Sequence, residues 1–302
     1  QLRVRSLLFC IGSESGAAKT LWRAIGDAIP PEEIKRELQS FWGRITATLD
    51  WCEENYVVSS IVAEFWNTLS NIAIIGAGWY GYEKSRQYHL ESRFKLCYLA
   101  LMVVGIGSTL FHCTLYRSAQ LMDELPMIWC VSVFLYTISP EAFSSKHPRL
   151  LMCLCAGYSL VISVAYVYNK NALFHEVCYG IGVGIVILLC VVAIQKHRQA
   201  RSELLYVLRI GLLWSGCAFV VWTIDNVFCR YLRMFRNRVG WPLEHLSQFH
   251  AFWHIGVGIG TYFFIVFAGM VRQLELGEPR PKVRWRQIVP GFSIPYVFRQ
   301  SV

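Results

Sequence analysis

Three histidines lie near the ends of long apolar segments, and their spacing is suited to metal chemistry: His112, His250 and His254. Imidazole is the commonest metal ligand near neutral pH, and ionisable residues inside membrane segments are rare and usually functional. His250 and His254 are four residues apart and therefore share one face of a helix. With His112 from another helix they would complete the ligand set of a catalytic zinc site, which leaves a fourth position for water. Taken singly, each histidine is also suited to a packed, hydrogen-bonded role.

Two further residues extend this pattern toward hydrolysis. Ser108 precedes His112 by four residues, so both project from one helical face. In a hydrolytic zinc site, Asp123 would accept the proton of the attacking water, and Ser108 would hydrogen-bond the oxygen on which negative charge develops. The alternatives are a helix serine bonded back to its own backbone and an aspartate that caps a helix start. The pattern predicts cleavage of an amide or ester that enters from lipid.

An acidic segment before the first apolar block predicts a second metal site. Asp50, Glu53, Asn55 and Glu64 carry hard oxygen ligands, and the carbonyl of Trp51 adds another. Calcium takes six to eight such oxygens in flexible geometry. The alternative is an acidic cap that interacts with the dipole of the first helix. Glu64 argues against that alternative, because it falls about two turns inside an apolar block and needs a charged partner.

The composition is that of a membrane protein. Of the 302 residues, 55% are hydrophobic and 16% are charged, whereas soluble proteins are about a quarter charged. The apolar residues collect into blocks near the length of about 20 residues that crosses a bilayer. We therefore predict an all-α polytopic membrane protein with a seven-transmembrane helix bundle. The predicted spans are 57–80, 94–113, 123–140, 149–168, 175–195, 204–229 and 247–271.

The net charge of +9 predicts topology rather than nucleic-acid binding. The basic residues flank the apolar blocks instead of forming one stripe, and no nucleic-acid motif accompanies them. By the positive-inside rule the C-terminus is cytosolic, and seven spans then put the N-terminus in the lumen. The arginine-rich connection between the sixth and seventh spans goes against this rule. The expected divisions are a poorly assigned leader (1–43), a lumenal acidic metal-binding segment (44–56), the catalytic membrane domain (57–272) and a cytosolic tail (273–302).

This topology brings the candidate residues to one face of the membrane. Ser108 and His112 end the second span on the lumenal side, Asp123 begins the third, and the histidine pair begins the seventh. The acidic segment lies on that side too. Chance placement would scatter such residues over both faces.

Two further features lie on the same side. Asp225, inside the sixth span, needs a partner, and it would either orient a ligating histidine or act as a structural hydrogen-bond anchor. Cys52 and Cys229 both face the oxidising compartment, which permits a disulfide, although spacing alone leaves the pairing open.

Six separated motifs occur in the order found in the alkaline ceramidases, and the chain resembles that family over residues 45–285. It is most similar to the phytoceramidase branch, which includes the animal enzymes of type three. The motifs are residues 50–56 (Asp-Trp-Cys-Glu-Glu-Asn-Tyr), 63–68, 107–112, 122–127, 222–226 and 248–254.

The resemblance implies a zinc-dependent intramembrane amidase that hydrolyses ceramides to a sphingoid base and a free fatty acid. By it, the three histidines hold zinc, and Ser108 and Asp123 have the catalytic roles given above. It implies a disulfide between Cys52 and Cys229. It also implies a multi-pass protein of the endoplasmic reticulum or Golgi membrane, with a ceramide-class lipid as substrate and no obligate protein partner. The implied calcium ligands are Asp50, Trp51, Glu53, Asn55 and Glu64.

Two other classes of protein remain as alternatives. A receptor of the adiponectin or progestin type would retain a structural or vestigial zinc site but signal to cytosolic partners, and its usual orientation is reversed. A transporter would place polar residues near the bilayer midplane and often contain repeats. Here the polar residues collect toward one face, which disfavours transport.

Overall fold

The computed structural model describes residues 35–36, 38–140 and 145–298. Helices dominate this part of the chain, and a short β-hairpin follows the last one. The elements, numbered from Phe65, are α1 (Phe65–Ser70), α2 (Ile72–Gln87), α3 (Ser92–Thr114), α4 (Arg117–Ile138), α5 (Pro148–Asn169), α6 (Ala172–Lys196), a 3₁₀ turn (Arg198–Ala200), α7 (Arg201–Val227), α8 (Cys229–Val239), a second 3₁₀ turn (Leu243–Ser247), α9 (Phe249–Glu275), β1 (Val283–Val289) and β2 (Phe292–Val297).

Within the described residues, six helices are long and apolar enough to cross a membrane: α3, α4, α5, α6, α7 with its preceding 3₁₀ turn, and α9. They overlap the second to seventh predicted spans, so the prediction of a helical multi-pass membrane protein is confirmed. Many of their apolar side chains face outward, among them Leu160, Val161, Leu188 and Leu213. In a bilayer these side chains would contact lipid.

The first predicted span, 57–80, differs from what the structure contains. Helix begins only at Phe65, and it is divided at Asn71 into α1 and α2. The polar residues Asn67, Ser70 and Asn71 interrupt the apolar stretch here, and the first two of them hydrogen-bond within the site described below. Neither α1 nor α2 alone has the length and hydropathy of a membrane span, so the described residues contain six such helices and the predicted number of exactly seven is not confirmed.

Helix α4 begins six residues earlier than the predicted third span. Leu115 adopts a left-handed conformation with φ of 51°, which turns the chain sharply after α3. The hydroxyl of Thr46 then accepts a hydrogen bond of 3.0 Å from the amide of Arg117, which satisfies one of the free amides of the first turn. Asp123 consequently lies inside α4 and does not cap it, so that alternative is wrong.

Helix α9 is the central helix of the bundle. All its residues from Tyr262 to Val271 are buried. Glycines allow neighbouring helices to approach it closely: a Cβ on Gly258 would lie 3.0 Å from the Cα of Ile74, and one on Gly256 would lie 3.1 Å from the carbonyl oxygen of Trp214. Small residues at helix contacts are the usual means of close packing in membranes. α9 is therefore held by α2 and α7, and the two histidines at its start have a rigid base.

The region expected to be a cytosolic tail, 273–302, contains the β-hairpin. The strands pair antiparallel, with Val283 opposite Val297. The hydroxyl of Tyr262 donates a 2.6 Å hydrogen bond to the carbonyl of Pro295, and the Gln273 side chain donates to the carbonyl of Phe298. The hairpin thus packs on the end of α9 that is remote from the histidines.

Candidate metal centre

The three histidines meet at one buried point. His112 lies in the last turns of α3, and His250 and His254 lie in the first two turns of α9. One ring nitrogen of each can be chosen so that all three lie within 4.8 Å of one another. All three residues are at most 3% exposed. Three imidazole nitrogens gathered in this way could hold a metal ion, and three histidines are the donor set of one class of catalytic zinc site.

In two of the histidines, the Nδ1 atom is engaged by a neighbouring side chain, which leaves the Nε2 atom as the nitrogen available to a metal. The Nδ1 of His112 is 2.5 Å from a carboxylate oxygen of Glu64, and the Nδ1 of His254 is 2.8 Å from the hydroxyl of Ser70. The Nε2 of His112 is buried and has no hydrogen-bond partner in the described part of the chain. A carboxylate behind a ligating imidazole fixes the ring and raises its basicity. The donor set therefore fits zinc by residue type and by hydrogen bonding.

The third histidine is held by an aromatic ring. Trp51 stacks on His250 with ring centroids 3.8 Å apart and planes 27° apart. Because Trp51 belongs to the acidic segment, that segment forms one wall of the histidine cluster.

Ser108 and Asp123 lie beside the cluster. The Ser108 hydroxyl is 3.5 Å from the Nε2 of His254, and Asp123 of α4 is its near neighbour. A Cβ on Gly107 would collide with the carbonyl of Met122, so α3 and α4 are in backbone contact at this level. That contact brings together two residues from different helices, next to the nitrogens that would hold a metal.

Glu53 of the acidic segment and Glu64, which directly precedes α1, are both buried. Glu53 accepts hydrogen bonds of 2.8 and 2.9 Å from the amides of Trp66 and Asn67, in the first turn of α1. Burial, and next the charge of Glu64, raise the pKa of Glu53 to about 8. Two carboxyl groups buried side by side are unfavourable when both are ionised, and a bound cation removes that penalty.

The remaining candidates are more dispersed. Asp50 accepts a 3.0 Å hydrogen bond from the side-chain Nδ2 of Asn55, and Arg233 lies 3.5 Å from the carbonyl of Trp51. Among the described residues, no three carboxyl groups gather as the three histidine nitrogens do. The acidic residues fit a calcium site by type, and all but Glu64 lie in one segment, but their oxygens are partly engaged elsewhere.

Several residues important to this arrangement were not identified from sequence. The Ser70 hydroxyl contacts the Nδ1 of His254. The polar residues that interrupt the first apolar block were the sequence feature that could have identified it. Arg236 is 3% exposed and donates to the carbonyl of Cys52 and to Glu54. Nothing local in the sequence distinguishes it from the other arginines of its segment.

Asp225 and the disulfide complete the attachment of the acidic segment. The carboxyl group of Asp225 is buried beside the backbone of Cys52 and His250, and its Oδ2 has no hydrogen-bond partner in the described structure, which leaves both of its expected roles open. Cys52 and Cys229 form a disulfide with Cα atoms 5.3 Å apart, as the resemblance implied. Asp225 therefore lies between the start of α9 and the segment that the disulfide holds.

Comparison with known proteins agrees with this geometry. Residues 43–298 match the family model described as Ceramidase. The chain is 43% identical to alkaline ceramidase 3 of Mus musculus, over 82% of this chain and 91% of the relative. It is 32% identical to the alkaline ceramidase YPC1 of Saccharomyces cerevisiae, over 86% and 93%. It is 31% identical to an alkaline ceramidase of Arabidopsis thaliana, over 82% and 92%.

Proposed function

The chain belongs to the ceramidase family and is an amide hydrolase, and we propose that its three-histidine cluster holds the zinc ion of a ceramide-cleaving site. The observation that carries this proposal is the convergence of the three buried ring nitrogens within 4.8 Å. Ser108 and Asp123 lie at its edge, where a reacting amide would be positioned.

Zinc bound there would supply a Lewis acid that polarises the scissile carbonyl and lowers the pKa of water to about 7. Asp123 accepts a proton from the attacking water as the water oxygen adds to the acyl carbon. Ser108 donates a hydrogen bond to the carbonyl oxygen, which becomes negatively charged at that moment. Asp123 then returns the proton to the amide nitrogen as the carbon–nitrogen bond breaks. The products are a free fatty acid and a sphingoid base.

We further propose that α1 and α2 together form a seventh crossing. The 23 residues from Phe65 to Gln87 would span about 34 Å as helix, enough for the hydrocarbon core. Lys84 and Arg86 stand in the last turn of α2, as the positive-inside rule expects of a cytosolic end. The histidine cluster then faces the lumen of the endoplasmic reticulum or Golgi, with the C-terminus in the cytosol.

The acidic segment is proposed to bind calcium through Asp50, Glu53, Asn55, Glu64 and the carbonyl of Trp51. Two contacts support a link to catalysis. Glu64 accepts from the backbone amide of Trp51 through one oxygen and contacts His112 through the other. Calcium bound to this segment would therefore stabilise the wall of the histidine cluster and the carboxylate behind one ligand.

Metal analysis of the purified protein, combined with turnover of a defined ceramide panel, tests this function. We expect one zinc per chain, and loss of both zinc and hydrolysis in His250→Ala and in His254→Ala. His147→Ala, at an exposed histidine outside the cluster, is the matched control and should behave as the unmodified protein. Protein without stoichiometric zinc, or alanine variants that still hydrolyse ceramide, would contradict the proposal.

The receptor alternative is not favoured, because the relatives reported above are ceramidases. An accessibility map of the termini separates the two classes further. A lumenal N-terminus agrees with the enzyme, whereas a cytosolic N-terminus is usual for such receptors.

A further inference from the structure

The connection between α7 and α9 is the arginine-rich segment that departed from the positive-inside rule. The structure forms most of it into helix α8, which follows α7 after one residue. In the 20 residues from Val227 to Leu246, eight large apolar side chains are exposed. They are Val227, Phe228, Tyr231, Met234, Phe235, Trp241, Leu243 and Leu246.

Helix α8 has two different faces. Cys229, Leu232, Arg233 and Arg236 recur at the i, i+3, i+4, i+7 spacing of one helical face, and each is buried or partly buried. This face holds the acidic segment: the disulfide joins Cys229 to Cys52, and Arg233 and Arg236 both donate to the carbonyl of Cys52. The helix is thus fixed to the protein by its inner face.

The outer face repeats the same spacing with apolar residues. Tyr231, Met234 and Phe235 are 66%, 46% and 48% exposed, and Arg238 ends the row. Asn237 lies to one side of this row and is exposed as well. A short basic helix with an aromatic and apolar outer face is typical of helices that lie in a membrane interface. A terminal arginine on such a face extends its charged group toward lipid phosphates.

The apolar outer face of α8 is continuous with the exposed apolar surface of α7, which indicates that lipid covers both. Phe219 and Val220, on the outer side of α7, are 58% and 56% exposed. Val227 and Phe228 continue the same apolar surface directly into α8. Trp241, at 79% exposure, extends it beyond α8. Tryptophan and tyrosine concentrate at the boundary between lipid and water.

We propose that α8 and the segment up to Leu246 form an interfacial element that rests on the surface of the bilayer, with Tyr231, Met234 and Phe235 inserted among the lipid headgroups. The partner is the phospholipid leaflet itself, and the proposal requires only that α7 crosses the membrane. It does not depend on zinc, calcium or ceramide hydrolysis.

Photochemical cross-linking in the full-length protein tests this assignment. Phe235→p-benzoylphenylalanine replaces one exposed aromatic residue by another. Asn237→p-benzoylphenylalanine is the control on the same helix, outside the apolar row. Phe219→p-benzoylphenylalanine is the positive control in the membrane span. The protein is placed in phosphatidylcholine nanodiscs and irradiated, and lipid adducts are counted by mass spectrometry.

We expect adducts at position 235 to approach those at position 219 and to exceed those at position 237 by about fivefold or more, because insertion depth decides lipid contact. Tyr231→p-benzoylphenylalanine should repeat the result at position 235. Equal labelling of positions 235 and 237 would overturn the proposal. Cross-links from position 235 to a second protein molecule, in place of lipid, would also overturn it and would assign the face to a protein partner.

Discussion

The histidine cluster and the acidic segment are both proposed to bind metal, yet they are built in different ways. The histidines project from α3 and α9, two helices of the packed bundle, and their nitrogens already lie within 4.8 Å of one another. The acidic residues, apart from Glu64 at the start of α1, belong to an irregular segment attached to the bundle by one disulfide and by Arg233 and Arg236. Helix packing thus organises the first site, whereas cross-links organise the second.

The two regions should therefore respond differently to substitution. Changes at the histidine cluster should remove chemistry and leave the fold intact. Changes at the attachments of the acidic segment should alter metal dependence and stability first. Glu64 contacts both regions, so it is the residue at which this distinction should fail.

The largest loss of turnover with zinc retained is expected from Asp123→Asn. The asparagine keeps the size of the side chain but cannot accept the proton of the attacking water, so kcat should fall by about 100- to 10,000-fold. Measuring kcat and zinc content on the same sample separates catalysis from binding. A variant with near-normal kcat would remove Asp123 from the proton-transfer role.

Ser108→Ala should have the next largest effect. Loss of the hydroxyl removes one donor to the developing oxyanion, which costs about 100- to 1,000-fold in kcat at comparable sites. Thr109→Ala is a matched control, since the Thr109 hydroxyl bonds only to the carbonyl of Gly105 in the described structure. Equal losses in the two variants would indicate a general disturbance of α3.

Glu64→Gln should affect both regions. Replacing the carboxylate behind a metal-ligating histidine typically lowers metal affinity by about 10- to 100-fold, and the same change removes a proposed calcium ligand. Zinc affinity and the calcium concentration that supports half-maximal activity should both be measured. If zinc affinity is unchanged, the contact with His112 does not support the zinc site.

Cys52→Ser combined with Cys229→Ser should give the smallest effect on chemistry. Removing a native disulfide typically costs about 2–5 kcal/mol in small secreted domains; here the loss should fall mainly on the acidic segment. We expect a lower Tm and a higher calcium requirement, with zinc content unchanged. Cys113→Ser controls for the loss of a cysteine outside the disulfide. Loss of zinc in the double variant would contradict separate organisation of the two sites.

Much of the bundle could be predicted from sequence because apolar length is a local property. Six predicted spans correspond to helices, and the placement of His112, His250 and His254 at span ends indicated that they would meet. What the cluster binds stays a proposal. The position of Asp123 within α4 was not predictable, because the residue that caps the start of α4, Thr46, is 71 residues away from Arg117.

The part that sequence did not reveal depends on contacts across the fold. Arg236 belongs to the arginine-rich connection between the sixth and seventh predicted spans, yet its guanidinium is buried against a carbonyl 184 residues away. The position of the hairpin likewise depends on distant contacts, because Tyr262 and Gln273 of α9 hydrogen-bond the carbonyls of Pro295 in β2 and of Phe298 just after it. Charge and hydropathy patterns indicate whether a segment lies in water or in lipid. They do not indicate which distant residue it contacts in the folded protein.

The disulfide between Cys52 and Cys229 also sets a time of assembly. Its two cysteines are separated by 177 residues, and a ribosome that adds about 5–20 residues per second needs roughly 10–35 s for that interval. During this time α1 to α7 are synthesised. The acidic segment, although translated early, therefore cannot be joined to α8 until α7 has been completed. Attachment of the acidic segment to α8 is therefore a late step of synthesis, and among the long helices of the described residues only α9, which carries His250 and His254, is still to follow.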